Sequence, residues 1–332
     1  MIDPHDVQDD TPDCRPRFAA AARVSGGMVF AAALTLGGAG LATADPGEDP
    51  SLQRTTLSSS EQDDAVDYWT TERMEAAAPA EDLVADAEAS STPVASTASP
   101  LEIPAAPMIE GNPQPVKKSA AAAAGTDHIG KVFFTLGGQD YVCSANSVAS
   151  QNDSTVSTAA HCVNGDGSWA TNWVFAPGYD QGDTPYGLWS ATDIVAPTQW
   201  TNGEDISYDV AFAVVEPESG SATLSDTVGG SAVGFNQQRG QQYTAFGYPA
   251  TAPFDGESLE TCQGVGSDDT IGGSDSEGIS CDMTGGSSGG PWFLGDGAQN
   301  SVNSFGYDIQ SNVMYGPYFG AEAQSAYEEA AA

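Results

Sequence analysis

The chain has 332 residues, with nine Lys and Arg against 46 Asp and Glu and a formal net charge of −37. So acidic a surface argues against nucleic acid as a partner, because phosphate binding needs a basic footprint; its ordinary meaning is a solvated, soluble exterior. The length suits two domains, or one domain with long appendages, and five cysteines without a Cys-x-x-Cys pair lend no support to zinc or thioredoxin-like chemistry.

Residues 1–44 begin acidic, pass through Arg15, Arg17 and Arg23, and continue as an apolar, glycine-containing run from Val24 to Leu41. The run ends in Ala42-Thr43-Ala44, so that basic flank, apolar centre and A-x-A site together form the layout of a secretory signal peptide. A permanent membrane anchor is the alternative, since the run approaches spanning length, but the small residues favour cleavage. Cleavage after Ala44 removes Cys14 and leaves four cysteines, which in an exported chain read as two disulfides. The mature protein is then extracellular, with no membrane contact.

Residues 45–125 are rich in Ala, Ser, Thr, Pro, Asp and Glu, as in Ile103-Pro104-Ala105-Ala106-Pro107. Sparse aliphatics and repeated prolines predict a mostly disordered propeptide or linker, with one or two acidic helices within 61–89. Lys117 and Lys118, before an alanine run, are a candidate site for proteolytic trimming or simply two solvated lysines. From Thr126 the pattern changes to short β-rich runs with Gly, Asn, Asp and Pro between them, such as Lys131-Val132-Phe133-Phe134-Thr135-Leu136 before Gly137-Gly138. That punctuation predicts an all-β sandwich or barrel over residues 126–320. Residues 321–332 form an acidic tail able to make a short helix.

Three stretches carry chemistry. Thr284-Gly285-Gly286-Ser287-Ser288-Gly289-Gly290-Pro291 has glycines on both sides of Ser288, which permit a tight turn that exposes a nucleophilic hydroxyl. The N–H groups of Gly286 and Ser288 could then point at a developing oxyanion. His161 follows a Val-Ser-Thr-Ala-Ala run and precedes Cys162, whereas His128 beside Asp127 reads as a surface residue. Asp209 opens the apolar run Asp209-Val210-Ala211-Phe212, where a carboxylate needs a partner; Asp193 and Asp205 are the reserves.

Thr158-Ala159-Ala160-His161-Cys162, Asp209-Val210-Ala211 and Gly286-Ser287-Ser288-Gly289-Gly290-Pro291 resemble the three signatures of the chymotrypsin-like (trypsin-like) serine peptidases, in that family's order. The resemblance covers roughly residues 126–320 and implies two six-stranded antiparallel β-barrels with the active site in the cleft between them. It implies Ser288 as nucleophile, His161 as general base and then acid, Asp209 as the orienting carboxylate, and Gly286 and Ser288 as the oxyanion hole. Cys143-Ser144-Ala145 resembles the strand whose cysteine bridges to the one after the histidine, here Cys162. Cys262 and Cys281 are expected to pair across a local loop. Ser304-Phe305-Gly306 resembles the strand that binds substrate backbone, and Asp282 falls where Lys- or Arg-specific members keep an acid. The function implied is a secreted, monomeric serine endopeptidase acting on proteins or peptides without metal or cofactor. The competing reading is a peptidase-like binding protein without turnover. Two departures from the family pattern, Ser287 before the nucleophile and no Ile-Val-Gly-Gly start, count against activation by insertion of a new N-terminus. If His161 is a base, activity should fall on the acid side as the imidazole protonates.

Overall fold

Gly137 and Gly138 both adopt positive φ, 59° and 84°, which is the backbone of a two-residue hairpin turn that matches the twist of its strands. They join β4 (Ile129–Leu136) to β5 (Gln139–Val148) with Leu136 opposite Gln139. This hairpin is the centre of a computed structural model that describes residues 49–84, 87–89, 97–109 and 125–332. The expected signal peptide, Cys14, Lys117 and Lys118 lie outside the described residues.

Preceding the hairpin are β1 (Leu52–Thr56), α1 (Ser59–Tyr68), α2 (Thr71–Ala76), β2 (Ala78–Pro79), a 3-10 turn (Ala80–Val84) and β3 (Leu101–Ile103). After it come β6 (Thr155–Thr158), a small hairpin β7 (Asn164–Gly165) and β8 (Ser168–Trp169), β9 (Thr171–Pro177), β10 (Trp189–Pro197), α3 (Thr198–Gly203) and β11 (Ala211–Pro217). Strands β4, β5, β6, β11, β10 and β9 pair antiparallel in sequence around a ring, and the pairing of Trp189 with Phe175 closes it. Inside, Val132, Phe134, Ala145, Val156, Trp173, Phe175, Ile194 and Phe212 make the core. This is the first expected barrel.

The second half begins with α4 (Leu224–Val228) and β12 (Val233–Phe235), followed by β13 (Gln242–Gly247), β14 (Glu260–Val265), β15 (Ser267–Asp268) and β16 (Glu277–Ser280). It continues through β17 (Pro291–Phe293), β18 (Gln299–Val302), β19 (Phe305–Tyr307), β20 (Gln310–Gly316) and α5 (Ala321–Ala331). These strands form two sheets, ordered β14-β13-β17-β18-β12-β3 and β15-β16-β20-β19, around Tyr243, Ala245, Ile279, Met283, Trp292 and Met314. In this half, the part the resemblance assigns to the second barrel, β12 meets β18 in a short parallel contact, and its other edge is taken by β3. Cys143 bridges to Cys162 and Cys262 to Cys281, as the resemblance implied.

The expected disorder of residues 45–125 is corrected over the described part of that segment. Strand β1 adds to the edge of β10 over five residues, Leu52 opposite Pro197 through Thr56 opposite Asp193. Ala65, Trp69 and Met74 are buried with Ile129, Phe133, Val142 and Val174, and the Trp69 indole donates to the Asn172 carbonyl at 2.5 Å. Arg54 pairs with Asp193 and Glu329, each at 2.9 Å, and Arg73 with Asp140 at 3.2 Å. The physical reason lies in what composition averages away: a few apolar residues at the right intervals order the segment by burying themselves against the outward-facing apolar residues of the barrel strands. The acidic tail is likewise a docked helix. Ala323, Ala326, Tyr327, Ala330 and Ala331 line the buried face of α5, and the Tyr327 hydroxyl donates to the Ala149 carbonyl at 2.6 Å.

His128 is not the surface residue expected. It is half-buried, its Nδ1 lies 2.7 Å from Asn146 Oδ1, and its ring meets Phe293 edge-on. Burial holds it below the ordinary imidazole range, against the opposing pull of Asn146, the Gly125 backbone and Asp127. With the folded value depressed, the unfolded chain binds the proton more readily. His128 therefore contributes stability that is present above about pH 6.5 and lost as pH falls through the folded value. His128→Gln should flatten the fall in Tm across that window relative to wild type; parallel curves would show that other groups carry it.

Candidate active site

Each of the three chemical stretches is held by a different piece of the barrels. His161 sits in a single 3-10 turn (Ala160–Cys162) directly after β6. The turn is pinned from outside: the Trp173 indole donates to the Cys162 carbonyl at 3.1 Å and the Trp200 indole to the Asn164 carbonyl at 3.0 Å. The Cys143–Cys162 bridge ties it to β5, with a ring nitrogen of His161 within 4.8 Å of both sulfurs. Because those sulfurs are bonded to each other, they offer no thiolate to a metal.

Asp209 closes the 3-10 turn Ile206–Tyr208, just before β11. Its Oδ1 accepts the backbone N–H of His161 at 2.8 Å, and its Oδ2 lies 2.8 Å from His161 Nδ1. The Ser304 hydroxyl donates to the same Oδ2 at 2.5 Å. A carboxylate only accepts, so Nδ1 carries the proton and Nε2 is left as the basic nitrogen. Both side chains are fully buried, and the three hydrogen bonds are what make a buried carboxylate tenable. The reserves are occupied elsewhere. Asp205 caps its own turn, accepting from the Ser207 N–H. For Asp193, burial would raise the pKa, but hydrogen bonds from Thr56 and Arg54 overcome it and hold the carboxyl below its usual range.

The Ser288 turn requires its glycines. Gly286 has φ 94° and Gly289 φ 80°, where a Cβ is strained, and a Cβ on Gly289 would run into the Ser144 carbonyl and Thr158 Oγ1. Within the turn the N–H groups of Ser287, Gly289 and Gly290 donate to Thr284, Asn303 and Ser287 carbonyls. Among the described residues, the N–H groups of Gly286 and Ser288 have no internal acceptor. The two donors assigned to an oxyanion hole are both among the N–H groups of this turn left without an internal acceptor. No hydrogen bond joins His161 Nε2 to another group among the described residues; such catalytic bonds commonly tighten only with substrate present.

Ser304 and Phe305 are buried and Gly306 is exposed, and β19, which begins at Phe305, forms the free edge of its sheet. An edge strand can accept another strand in a ladder. Asp282 departs from expectation: it is exposed, with Cys262 Sγ at 3.9 Å as its polar neighbour. The Cys262–Cys281 bridge pins the preceding residue to β14, so Asp282 lies at the surface instead of at the closed base of a pocket.

Two supporting residues escaped the sequence reading. Ser144 receives the Tyr248 N–H at 2.9 Å and donates to the Gly286 carbonyl at 2.9 Å. Asn303 donates to the Phe246 and Ser287 carbonyls at 2.8 and 2.9 Å and accepts the Trp292 indole N–H at 2.7 Å. Ser144 lies in the string Cys143-Ser144-Ala145, notable there for its cysteine, and Asn303 in no distinctive pattern; both roles depend on strands remote in sequence.

A family model described as a trypsin-like peptidase domain matches residues 143–299. The protease Anisep from Arthrobacter nicotinovorans is 53% identical, covering 63% of this chain and 98% of that one, with a TM-score of 0.61. A thermostable serine protease, AL20, from an extremophilic microorganism is 52% identical, covering 63% of this chain and 99% of its own, with a TM-score of 0.60. A Glu endopeptidase at 19% identity and TM-score 0.51 shares the fold. A curated protein named extracellular metalloprotease, from Bacillus subtilis (strain 168), is 41% identical over 59 residues, and that match spans 19% of its length. With identity above half to proteases matched over nearly their whole length, the chain belongs to the trypsin-like serine endopeptidases.

Proposed function

We propose that the protein is a secreted serine endopeptidase that hydrolyses peptide bonds through an acyl-enzyme, with Ser288 as nucleophile, His161 as base and acid, and Asp209 as the orienting carboxylate. The observation that carries this is the double hold of Asp209 on His161, one oxygen on the backbone N–H and the other on Nδ1. It fixes both the position and the tautomer of the imidazole. Nε2 takes the Ser288 proton as Oγ bonds to the substrate carbonyl carbon, and the oxygen becomes negative against the N–H groups of Gly286 and Ser288. The proton on Nε2 then passes to the departing amine as the peptide bond breaks. Water, deprotonated by the same nitrogen, attacks the acyl carbon and returns Ser288. Export is supported by two disulfides among the described residues and by the leader-like start of the sequence.

A fluorophosphonate probe tests the assignment, because it bonds to a serine only where the oxygen has been activated. The wild-type protein should be labelled at Ser288 and Ser288→Ala should not. Labelling of the alanine variant at the wild-type level would reject Ser288 as nucleophile.

A further inference from the structure

Residues 78–84 and 87–89 cross the candidate active site and touch the supports of all three catalytic residues. Strand β2 runs parallel to β5, Ala78 beside Tyr141 and Pro79 beside Val142, one residue before the cysteine that bridges to the His161 turn. The 3-10 turn that follows packs against the turn carrying His161, and Ala80 and Val84 are buried in one cluster with Ala159, Ala160 and Cys162. Farther on, the Glu88 carbonyl accepts the Ile206 N–H at 3.3 Å, at the start of the turn that ends in Asp209.

Between those two fixed ends lies Glu81. Its carboxylate accepts the Thr251 hydroxyl at 2.8 and 3.1 Å, and Oε2 occupies the position that a Cβ on Gly285 would take. The receiving surface is built. Thr284 Oγ1 donates to the Thr251 carbonyl at 2.7 Å and accepts the Thr251 N–H at 3.2 Å, while the Ala250 N–H donates to the Gly285 carbonyl at 2.6 Å. Gly285 adjoins the oxyanion turn, so the absence of a side chain there makes room for a carboxylate.

We infer that the catalytic cleft is a binding surface for an acidic peptide, and that its occupant is the chain's own segment at residues 78–84 and 87–89, anchored by Glu81 on Thr251 and Gly285 and acting as a built-in inhibitor. The segment buries without reacting. His161 has no exposed surface, and among the described residues no carbonyl of the segment is bonded to the N–H of Gly286 or Ser288. A cover that presents no carbonyl to the oxyanion donors blocks the site without being cut. The missing aspartate at Ser287 then has a replacement: latency comes from occupying the cleft instead of from a displaced N-terminus.

This inference rests on the proposed triad for its consequence, so its test has one arm independent of Ser288. Carbethoxylation of His161 by diethyl pyrocarbonate, read by peptide mass, reports whether Nε2 can be reached. In the full chain His161 should be protected and fluorophosphonate labelling slow, because only the fraction with the segment lifted reacts. Glu81→Arg, at a half-buried position, and Ala80→Arg, at a buried one, should expose His161 and speed labelling ~10- to 1000-fold, the range for an open state that is normally a minor population. Circular dichroism checks that each variant keeps its strands. A synthetic peptide of residues 76–84, added to the Glu81→Arg chain, should slow labelling again in proportion to its concentration. Wild type that is carbethoxylated and labelled as fast as folded Glu81→Arg would overturn the inference. Exposure of His161 without labelling in the variants would instead leave the cover standing and reject the triad.

Discussion

Replacing Asp209 with asparagine should leave the fold standing and lower kcat about 10⁴-fold. The carbonyl oxygen of the amide can keep the bond to the His161 backbone N–H now made by Oδ1 at 2.8 Å. Its NH₂ group then faces His161 Nδ1, and two donors cannot share that contact. The imidazole responds by moving its proton to Nε2, the nitrogen that in the proposed mechanism must be free to take the proton from Ser288. Ser304 is drawn into the same change, since its hydroxyl donates to Oδ2 and would meet a donor. It can turn to offer a lone pair, so the substitution strikes chemistry harder than stability. Steady-state kinetics on wild type and variant carried through the same processing, with a melting curve for each, separates the two effects. A loss below about tenfold would mean that the carboxylate does not set the tautomer.

The largest effect on stability is expected at Asn303, which is fully buried and spends its whole amide on the scaffold of the Ser288 turn. Truncation to alanine strands the Trp292 indole N–H and takes a donor from the Phe246 and Ser287 carbonyls. The stranded indole N–H costs about 1–3 kcal/mol and each lost amide bond about 1 kcal/mol, the Ser287 carbonyl keeping the Gly290 N–H, so that with the small cavity the sum is roughly 3–5 kcal/mol. For a domain of this size that lowers Tm on the order of 10 °C. Activity should suffer as well at temperatures where the variant remains folded, because the Ser287 carbonyl sits inside the turn proposed to supply the oxyanion donors. Denaturant melts of Asn303→Ala give the comparison, and a change under about 1 kcal/mol would show that water or neighbouring groups replace the amide.

The residues proposed for the chemistry could be named from the sequence because they sit in short, distinctive strings. Ser288 with its glycines, His161 with Cys162 and Asp209 before an apolar strand are each recognisable without knowing what lies across from them. Their supports are not. Ser144, Thr251 and Asn303 gain their roles only when β5, the loop after β13 and the end of β18 are brought to one place, and a serine, threonine or asparagine alone announces nothing. Asp282 illustrates the converse: counting back from Ser288 put it in a pocket, but the backbone path through Cys281 turns it to solvent. The N-terminal segment misled for a different reason. Its average composition is that of a disordered linker, yet ordering needed only Ala65, Trp69 and Met74 against the barrel and a five-residue strand on the edge of β10. Local composition cannot register a partner surface that the rest of the chain provides.

Ala65, Trp69 and Met74 also bear on what a proteolytic cut can accomplish. They cover the outer face of the first barrel, packed on Ile129, Phe133, Val142 and Val174, and β1 and β3 fasten the same segment to both halves of the molecule. Severing the chain at a site such as Lys117 breaks the covalent link but none of those contacts. What changes is molecularity: a segment held at the effective concentration of its own linker becomes a separate ligand that can leave on dilution. Cleavage and release are therefore distinct steps with distinct rates, and a nicked molecule at high concentration should remain a two-chain complex until the departed segment is diluted away or digested.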